Sequence, residues 1–402
     1  MISQLVLQEI LESQSERLMK MDTGLPRQVG DFNSFTSHAL IVSGIRRCGK
    51  STWLQQIYKG MDKPAIFLNF EDPRLAGFDL QDMNRIHEIA VKQNSTFYFF
   101  DEIQNIFQWE KFVRFRLDEG YQIFITGSNA SLLSGELGTK LTGRHIRKEM
   151  FPFSYQEFIA FKNMNADNNS VLSYMKSGGF PEFIKSGNPD ILMTAFNDIV
   201  IKDIAVRYNI KNTGLLLQLA EWLVSNTAKL FTANSLRKII NINSSSTMSE
   251  YLSYFVYSYL FFFVPKFSYS QKSQIVNPKK IYCIDNGFVV TNAISFSDDY
   301  GRLLENMVFI QLRRQFTDIY YFSEKKECDF VVFNKGKMVA LYQVCSKMDQ
   351  NNMEREVDGL FEAMQFFNVQ SASIITLNQK EIFQKNGKTM IVLPFQEWVF
   401  KS

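Results

Sequence analysis

Histidine and cysteine are both scarce in this chain, and neither occurs in a binding pattern. The 402 residues hold three histidines (His38, His87, His145) and four cysteines (Cys48, Cys283, Cys328, Cys345). There is no C-x-x-C pair and no closely spaced histidine pair, so neither a zinc site nor a disulfide framework is indicated. The cysteines read as reduced thiols of a cytoplasmic protein. Charge of one sign is also missing. The formal net charge is +3, too small by itself to point to nucleic acid. Long apolar runs are absent too. The one membrane suspect, Tyr251 to Val264, is interrupted by serines and falls short of the roughly 20 apolar residues a span requires. No basic segment precedes an apolar core in Met1 to Glu9, so no signal peptide is expected. Internal repeats and low-complexity tracts are lacking as well.

What is present is an ordinary globular balance, 46% hydrophobic and 21% charged, in a chain long enough for two or three domains. Within it, Gly44-Ile45-Arg46-Arg47-Cys48-Gly49-Lys50-Ser51 satisfies GxxxxGK[ST] in full. The apolar run Ala39 to Val42 precedes it, and the helical pattern Thr52 to Ile57 follows. Strand, glycine-flanked turn and helix start are the context in which this motif holds phosphate. The glycines let the backbone wrap closely, successive N–H groups face phosphate oxygens, and the helix N-terminus adds partial positive charge. Lys50 would reach the β- and γ-phosphates of ATP. The Ser51 hydroxyl would ligate Mg²⁺, with Thr52 closing the binding stretch. Arg46 and Arg47 either touch phosphate or are solvated.

A second acidic element follows. Thr96 to Phe100 is a run of β-formers ending in Asp101-Glu102. At a strand terminus downstream of a phosphate loop, Asp101 suits the Mg²⁺-holding Walker B role. Glu102 could polarise the attacking water. Ala65 to Asn69 and Tyr121 to Thr126 read as further strands separated by helices, which implies a parallel sheet with right-handed crossovers. Past the fourth strand, Asn129 or Ser128 could sense the γ-phosphate, or simply cap the next helix. Arg144, in Leu141-Thr142-Gly143-Arg144, is a candidate arginine finger; a surface arginine paired with an acid is the alternative.

Beyond Ser154, whose capping box with Glu157 opens a helix, the polar stretch Asn163 to Asn169 reads as a linker or loop. Helical patterns over Leu215 to Ser225, around Leu236 to Ile240 and from Asn243 towards Leu260 precede an extended Phe261 to Val264. This is the order of a winged helix-turn-helix, though such triplets also occur in helical cores that bind no DNA. The remainder alternates strands with helices at Arg302 to Phe316 and Met353 to Phe367.

The ordered series Gly44 to Thr52, Asn69-Phe70-Glu71-Asp72-Pro73, Asp101-Glu102-Ile103-Gln104, Thr126-Gly127-Ser128-Asn129, Leu141 to Arg144, Phe151 to Phe158, Gly178-Gly179-Phe180-Pro181 and Asp203-Ile204 resembles bacterial and archaeal AAA-type ATPases with a C-terminal domain of unknown function. The resemblance implies an overall α/β chain in three parts. Residues 1–205 would form a P-loop ATPase domain with an extra strand between the Walker A and Walker B strands and a helical extension. Residues 206–275 would form a winged-helix-like domain, and 276–402 a restriction-endonuclease-like α/β domain.

Nucleases of that last fold need an acid on one strand and acid-x-Lys on the next, two carboxylates holding Mg²⁺ and a lysine steadying water. Here Asp329 is present, but Gln343-Val344-Cys345 stands where Glu-x-Lys would be. Lys347 lies on the same strand face only if the strand persists that far. Efficient cleavage is therefore not expected, and a fold kept for binding is. The leading expectation is Mg²⁺-dependent ATP hydrolysis coupled to contact of the C-terminal modules with a macromolecule, DNA foremost, or with a second copy or protein partner. A slow nucleotide-gated switch or scaffold is the alternative, and a metal-dependent nuclease or small-molecule kinase a weaker one.

Overall fold

The computed structural model describes residues 2–27, 37–127, 141, 143–293 and 299–401. These fall into two compact units, Met1–Phe151 and Pro152–Ser402.

In the first unit, helix α1 (Gln4–Lys20) begins at a Ser3 cap and turns Leu7, Ile10, Leu11 and Leu18 inward at helical spacing. It packs on β2 (Ala65–Asn69) and on α3 (Leu80–Lys92). The other elements are β1 (Ala39–Ser43), α2 (Lys50–Lys59), β3 (Phe97–Asp101), α4 (Trp109–Asp118), β4 (Gln122–Gly127) and β5 (His145–Glu149). Strands β1 and β3 are buried at every position, as expected of strands covered on both faces. The sheet order is β2-β3-β4-β1-β5, with every pairing parallel. Strand β4 thus lies between the phosphate-loop strand β1 and the acid-bearing strand β3. This is the inserted strand that the sequence resemblance implies. Phe99 and Phe124 stack at 4.7 Å across the β3–β4 pair and lock its register.

The second unit opens with four short helices, α5 (Tyr155–Lys162), α6 (Asn168–Ser177), α7 (Pro181–Ser186) and α8 (Asp190–Asp198), the last running into a π-helical segment, Ile199–Val206. Next come α9 (Thr213–Ser225), β6 (Leu230–Phe231), α10 (Ala233–Ile239), α11 (Ser245–Tyr257), β7 (Phe261–Pro265), α12 (Gln271–Val276), β8 (Lys279–Cys283), α13 (Asn286–Asn292) and α14 (Tyr300–Arg313). Strands β6-β8-β7 form a three-stranded antiparallel sheet. The remaining elements are β9 (Asp318–Ser323), β10 (Glu327–Asn334), β11 (Lys337–Val344), α15 (Met353–Phe366), β12 (Ser371–Thr376), β13 (Glu381–Lys385), β14 (Lys388–Pro394) and α16 (Phe395–Val399). They build a six-stranded mixed sheet ordered β13-β14-β12-β11-β10-β9. Helix α15 packs across β10, β11 and β12. The whole is an α/β protein.

Two sequence boundaries fall differently here. Residues 152–205, read as an extension of the ATPase domain, belong to the second compact unit. The cause is local. Gly178, at φ +66°, sits where a Cβ would lie 1.8 Å from Asp285 Oδ1, while the Gly179 N–H donates to Asp285 Oδ2 at 2.6 Å. That glycine pair ties the α6–α7 turn to the start of α13. The polar stretch Asn163 to Asn169 is the α5–α6 turn and the first two residues of α6 within this unit, clasped by Tyr155 and Ser170 at 2.7 Å. The boundary at 275 cuts between β7 and β8, which pair over Phe261–Pro265.

Candidate functional site

The phosphate loop leaves β1 at Ser43 and passes through three restricted backbone positions. A Cβ on Gly44 would lie 2.0 Å from the Met150 carbonyl oxygen, so the loop starts under a strand end that admits no side chain. Gly49 sits at φ +105°, a left-handed value that costs glycine little. Arg47 is also left-handed, at φ 64°. Helix α2 then begins at Lys50 with no side-chain cap, so its first-turn amides remain available to an anion. The Lys50 ammonium is buried and donates to the carbonyls of Gly44 and Ile45 at 3.0 and 2.9 Å, spanning the loop that it closes.

The acids meet this loop from β3. The Ser51 hydroxyl donates to Asp101 Oδ1 at 3.0 Å, and the Thr126 hydroxyl donates to the same oxygen. Asp101 is fully buried, and its Oδ2 has no hydrogen-bond partner among the described residues. Burial, reinforced by the neighbouring Glu102 charge, pushes its carboxyl up to about 6 against the pull of Thr126, Ser51 and Lys50. A hydroxyl and an orphaned carboxylate oxygen are the hard donors that Mg²⁺ prefers. The chemistry of these residues therefore fits the ion, which Ser51 and Asp101 would hold.

Glu102 breaks the strand. Its backbone is left-handed at φ 54°, ψ 45°, a conformation that costs a non-glycine residue about 1–3 kcal/mol and that concentrates at functional sites. The turn keeps the Glu102 side chain from continuing the strand's alternation. Its N–H donates to Thr126 Oγ1 at 3.3 Å, and its carboxylate accepts from the Gln104 amide. Thr126 thus touches both acids, a bridging position that the sequence reading did not assign.

A family model described as an AAA domain matches residues 36–159, and two domains of unknown function, DUF8612 and DUF4143, match 168–299 and 300–398. The uncharacterized protein MJ1544 of Methanocaldococcus jannaschii is 34% identical over 391 residues, covering 89% of this chain and 87% of that protein. The chain belongs to this family. An uncharacterized protein of Haemophilus influenzae is 30% identical over 343 residues, covering 80% of this chain and 86% of its own length. Among solved structures, the Aeropyrum pernix ORC1 protein in complex with DNA aligns at 11% identity and a TM-score of 0.31, covering 66% and 88% of the two chains. The first unit of this family member is a P-loop AAA-type ATPase fold.

Other expected site residues fall less simply. Cys48 is buried and its thiol faces the Met150 carbonyl at 3.4 Å, so only its backbone can serve the loop. Ile45 is likewise buried. Arg46 lies 3.9 Å from Glu71, and Arg47 is exposed. Ser128 and Asn129 lie outside the described residues. Arg144 is not brought to the site. Its carbonyl accepts from the Ala39 N–H at the opposite end of β1 from the loop, and its guanidinium pairs with Asp118. Five strand residues separate those ends, about 13 Å or more. Arg27 was not anticipated. Its guanidinium donates to the Cys48 carbonyl and, at 2.7 Å, to that of Phe151, stapling the loop to the end of the unit.

In the second unit, Glu305 on α14, Asp329 on β10 and Gln343 on β11 do come together. Gln343 Oε1 accepts from the Asp329 N–H at 3.2 Å. Lys347 does not join them, because β11 ends at Val344 and Lys347 is exposed. The cation present is Lys280, from β8. Sequence reading missed it because it stands 25 and 49 residues from its acidic partners.

Proposed function

We propose that the first unit binds ATP with Mg²⁺ and hydrolyses it, and that this turnover governs contact between the second unit and DNA. The junction of Ser51, Asp101 and Glu102 carries the first part. Ser51 and Asp101 hold the ion. The α2 amides and Lys50 bind and orient the phosphates, Lys50 exchanging its loop carbonyls for β- and γ-phosphate oxygens. Glu102, one residue beyond the metal acid, accepts a proton from the attacking water. The ion that Ser51 and Asp101 would hold would supply positive charge against the negative charge that develops on the phosphates. Phosphate release from ATP by the purified protein, abolished by Lys50→Ala, tests this reading. Absence of turnover, even with DNA added, would overturn it. Arg144 can take part only by reaching the nucleotide of a second copy.

The DNA part is supported by local charge. Residues 207–284 hold nine Lys and Arg against two Asp and Glu, in a chain whose total is only +3. The same stretch runs helix, strand, helix, helix, strand, helix, strand with sheet order β6-β8-β7, an order that supports a winged-helix reading with α12 inserted between the last two strands.

One observation favours a slower, switch-like variant of the same chemistry. The Gln104 amide donates to the Glu102 carboxylate. A carboxylate engaged by a donor must release that bond before it can take a proton from water.

A further inference from the structure

Three carboxylates from two elements converge on one ammonium in the second unit. Lys280 Nζ lies 2.7 Å from Asp329 Oδ1, 2.7 Å from Glu327 Oε1 and 3.1 Å from Glu305 Oε1. Lys280 is only 3% exposed and Asp329 5%; Glu327 stands at the solvent edge. The sequence resemblance implies an endonuclease-like domain in which Asp329 would help to hold a divalent ion, and the acids gathered here do not fit one.

Separation is the first reason. Three oxygens at 2.7–3.1 Å around one centre match the three N–H donors of an ammonium. Mg²⁺ needs ligands at about 2.1 Å. The remaining valences are the second reason. Glu305 Oε1 also accepts from the Tyr282 hydroxyl at 2.7 Å, and Asp329 Oδ2 accepts from the Val344 N–H at 2.9 Å. Gln343, standing where a second strand carboxylate would be needed, turns its amide to Glu356 Oε2 at 2.6 Å. Glu356 is in turn held by Arg355. Among the described residues, no group of three or more His, Cys, Asp and Glu is disposed to hold a metal ion. Removing a lysine from water is costly, and only its paired carboxylates compensate. The Asp329 and Glu305 charges keep its proton affinity well above the ordinary ammonium range despite burial.

We propose that Lys280 is a built-in cation that replaces the divalent metal of this acid set, making the C-terminal sheet a metal-independent binding scaffold and not a nuclease. The inference does not depend on ATP hydrolysis by the first unit. It makes the site convertible: with the ammonium gone, the lone pairs that it occupies on Asp329 Oδ1, Glu327 Oε1 and Glu305 Oε1 are released to an ion, while the Tyr282 and Val344 contacts stay.

The test uses full-length, nucleotide-free protein and Mn²⁺ as the probe. Free Mn²⁺ is followed by electron paramagnetic resonance, and unfolding by circular dichroism. Any Mn²⁺ held near Ser51 and Asp101 is common to all variants and cancels in the comparison. Lys280→Met should gain one Mn²⁺ per chain over the parent, with a Tm raised by about 4 °C or more at saturating Mn²⁺. Adding Asp329→Asn to that variant should remove both effects. A folded Lys280→Met protein that gains no site overturns the proposal. Should Lys280→Met fail to fold, the parent alone decides. Mn²⁺ binding and plasmid nicking by the parent should be absent or unchanged by Asp329→Asn. Parent Mn²⁺ binding or nicking that Asp329→Asn abolishes overturns the proposal.

Discussion

The Ser51 hydroxyl and Asp101 Oδ1 are joined by a 3.0 Å hydrogen bond between the first turn of α2 and the end of β3. Neither residue could find the other through local structure, since 50 positions separate them. The parallel order β3-β4-β1 brings both strand ends to one edge, and Thr126 on the intervening β4 grips the same carboxylate oxygen from below. Oδ2 is left buried without a hydrogen-bond partner among the described residues.

That geometry predicts a pH-dependent affinity. Burial holds the Asp101 carboxyl at about 6, so protons compete with the metal once pH falls below that value. Binding of ATP with Mg²⁺ should be level above about pH 7 and weaken roughly tenfold per unit below about pH 5. Asp101→Asn should abolish this slope and lower turnover by about 100-fold or more, equivalent to about 2.7 kcal/mol in the barrier. Fluorescent-nucleotide titration across pH measures the first effect, steady-state phosphate release the second. A parent slope that survives in Asp101→Asn would assign the titration elsewhere.

Glu102 and Gln104 should behave oppositely. Glu102→Gln removes the base while leaving size and hydrogen-bonding capacity, so ATP should bind and remain uncleaved. Gln104→Ala frees the carboxylate from its donor and should raise the turnover number several-fold without changing the nucleotide Kd. A fall in turnover would mean instead that Gln104 positions the base.

The parts of this molecule that could be read from the chain are those whose chemistry is contiguous. Gly44 to Ser51 is a single loop, and Asp101-Glu102 a single strand end, so both are written consecutively. Thr126 and Arg27 serve the same site from 25 and 21 residues away; the stretch Thr126 to Asn129 marks the strand end but not the threonine's contact, and nothing near Arg27 announces it. The second unit shows the same limit more sharply. Lys347 looked suitable on strand periodicity, yet β11 stops at Val344 and the needed charge arrives from β8. The polar run Asn163 to Asn169 has the composition of a linker and the structure of a capped turn, because Asp167 and Ser170 satisfy each other's backbone there.

The second unit should lose stability as the solution becomes less acidic. Asp285 is buried beneath the Gly178-Gly179 turn, and burial lifts its carboxyl to about 7 even though two backbone N–H groups, at Gly179 and Gly287, donate to it. Unfolded, it would titrate near 4, so between those values the folded chain carries more protons than the unfolded one. Stability from this group is therefore fullest below pH 4 and declines as pH climbs through 7. Urea unfolding monitored through this unit should show a lower midpoint at pH 8 than at pH 5, and Asp285→Asn should flatten the difference. An equal midpoint in the parent at both values would contradict this assignment.

Salt should discriminate between DNA and a protein as the second unit's partner. Lys280 is committed to its carboxylates, but Lys238, Lys272 and Lys279 belong to the same basic stretch and to α10, α12 and β8. Each phosphate they neutralise releases counterions, which steepens the dependence of log K on log salt by close to one unit per contact. Labelled duplex DNA should bind with an affinity that falls steeply between about 50 and 200 mM salt. Lys238→Ala and Lys272→Ala should each flatten that slope by roughly one unit, largely independent of sequence. If ATP turnover gates the contact, Glu102→Gln loaded with ATP should shift the curve at fixed salt, while Lys50→Ala should not. Binding with no salt slope in either state would move the weight from DNA to a protein surface.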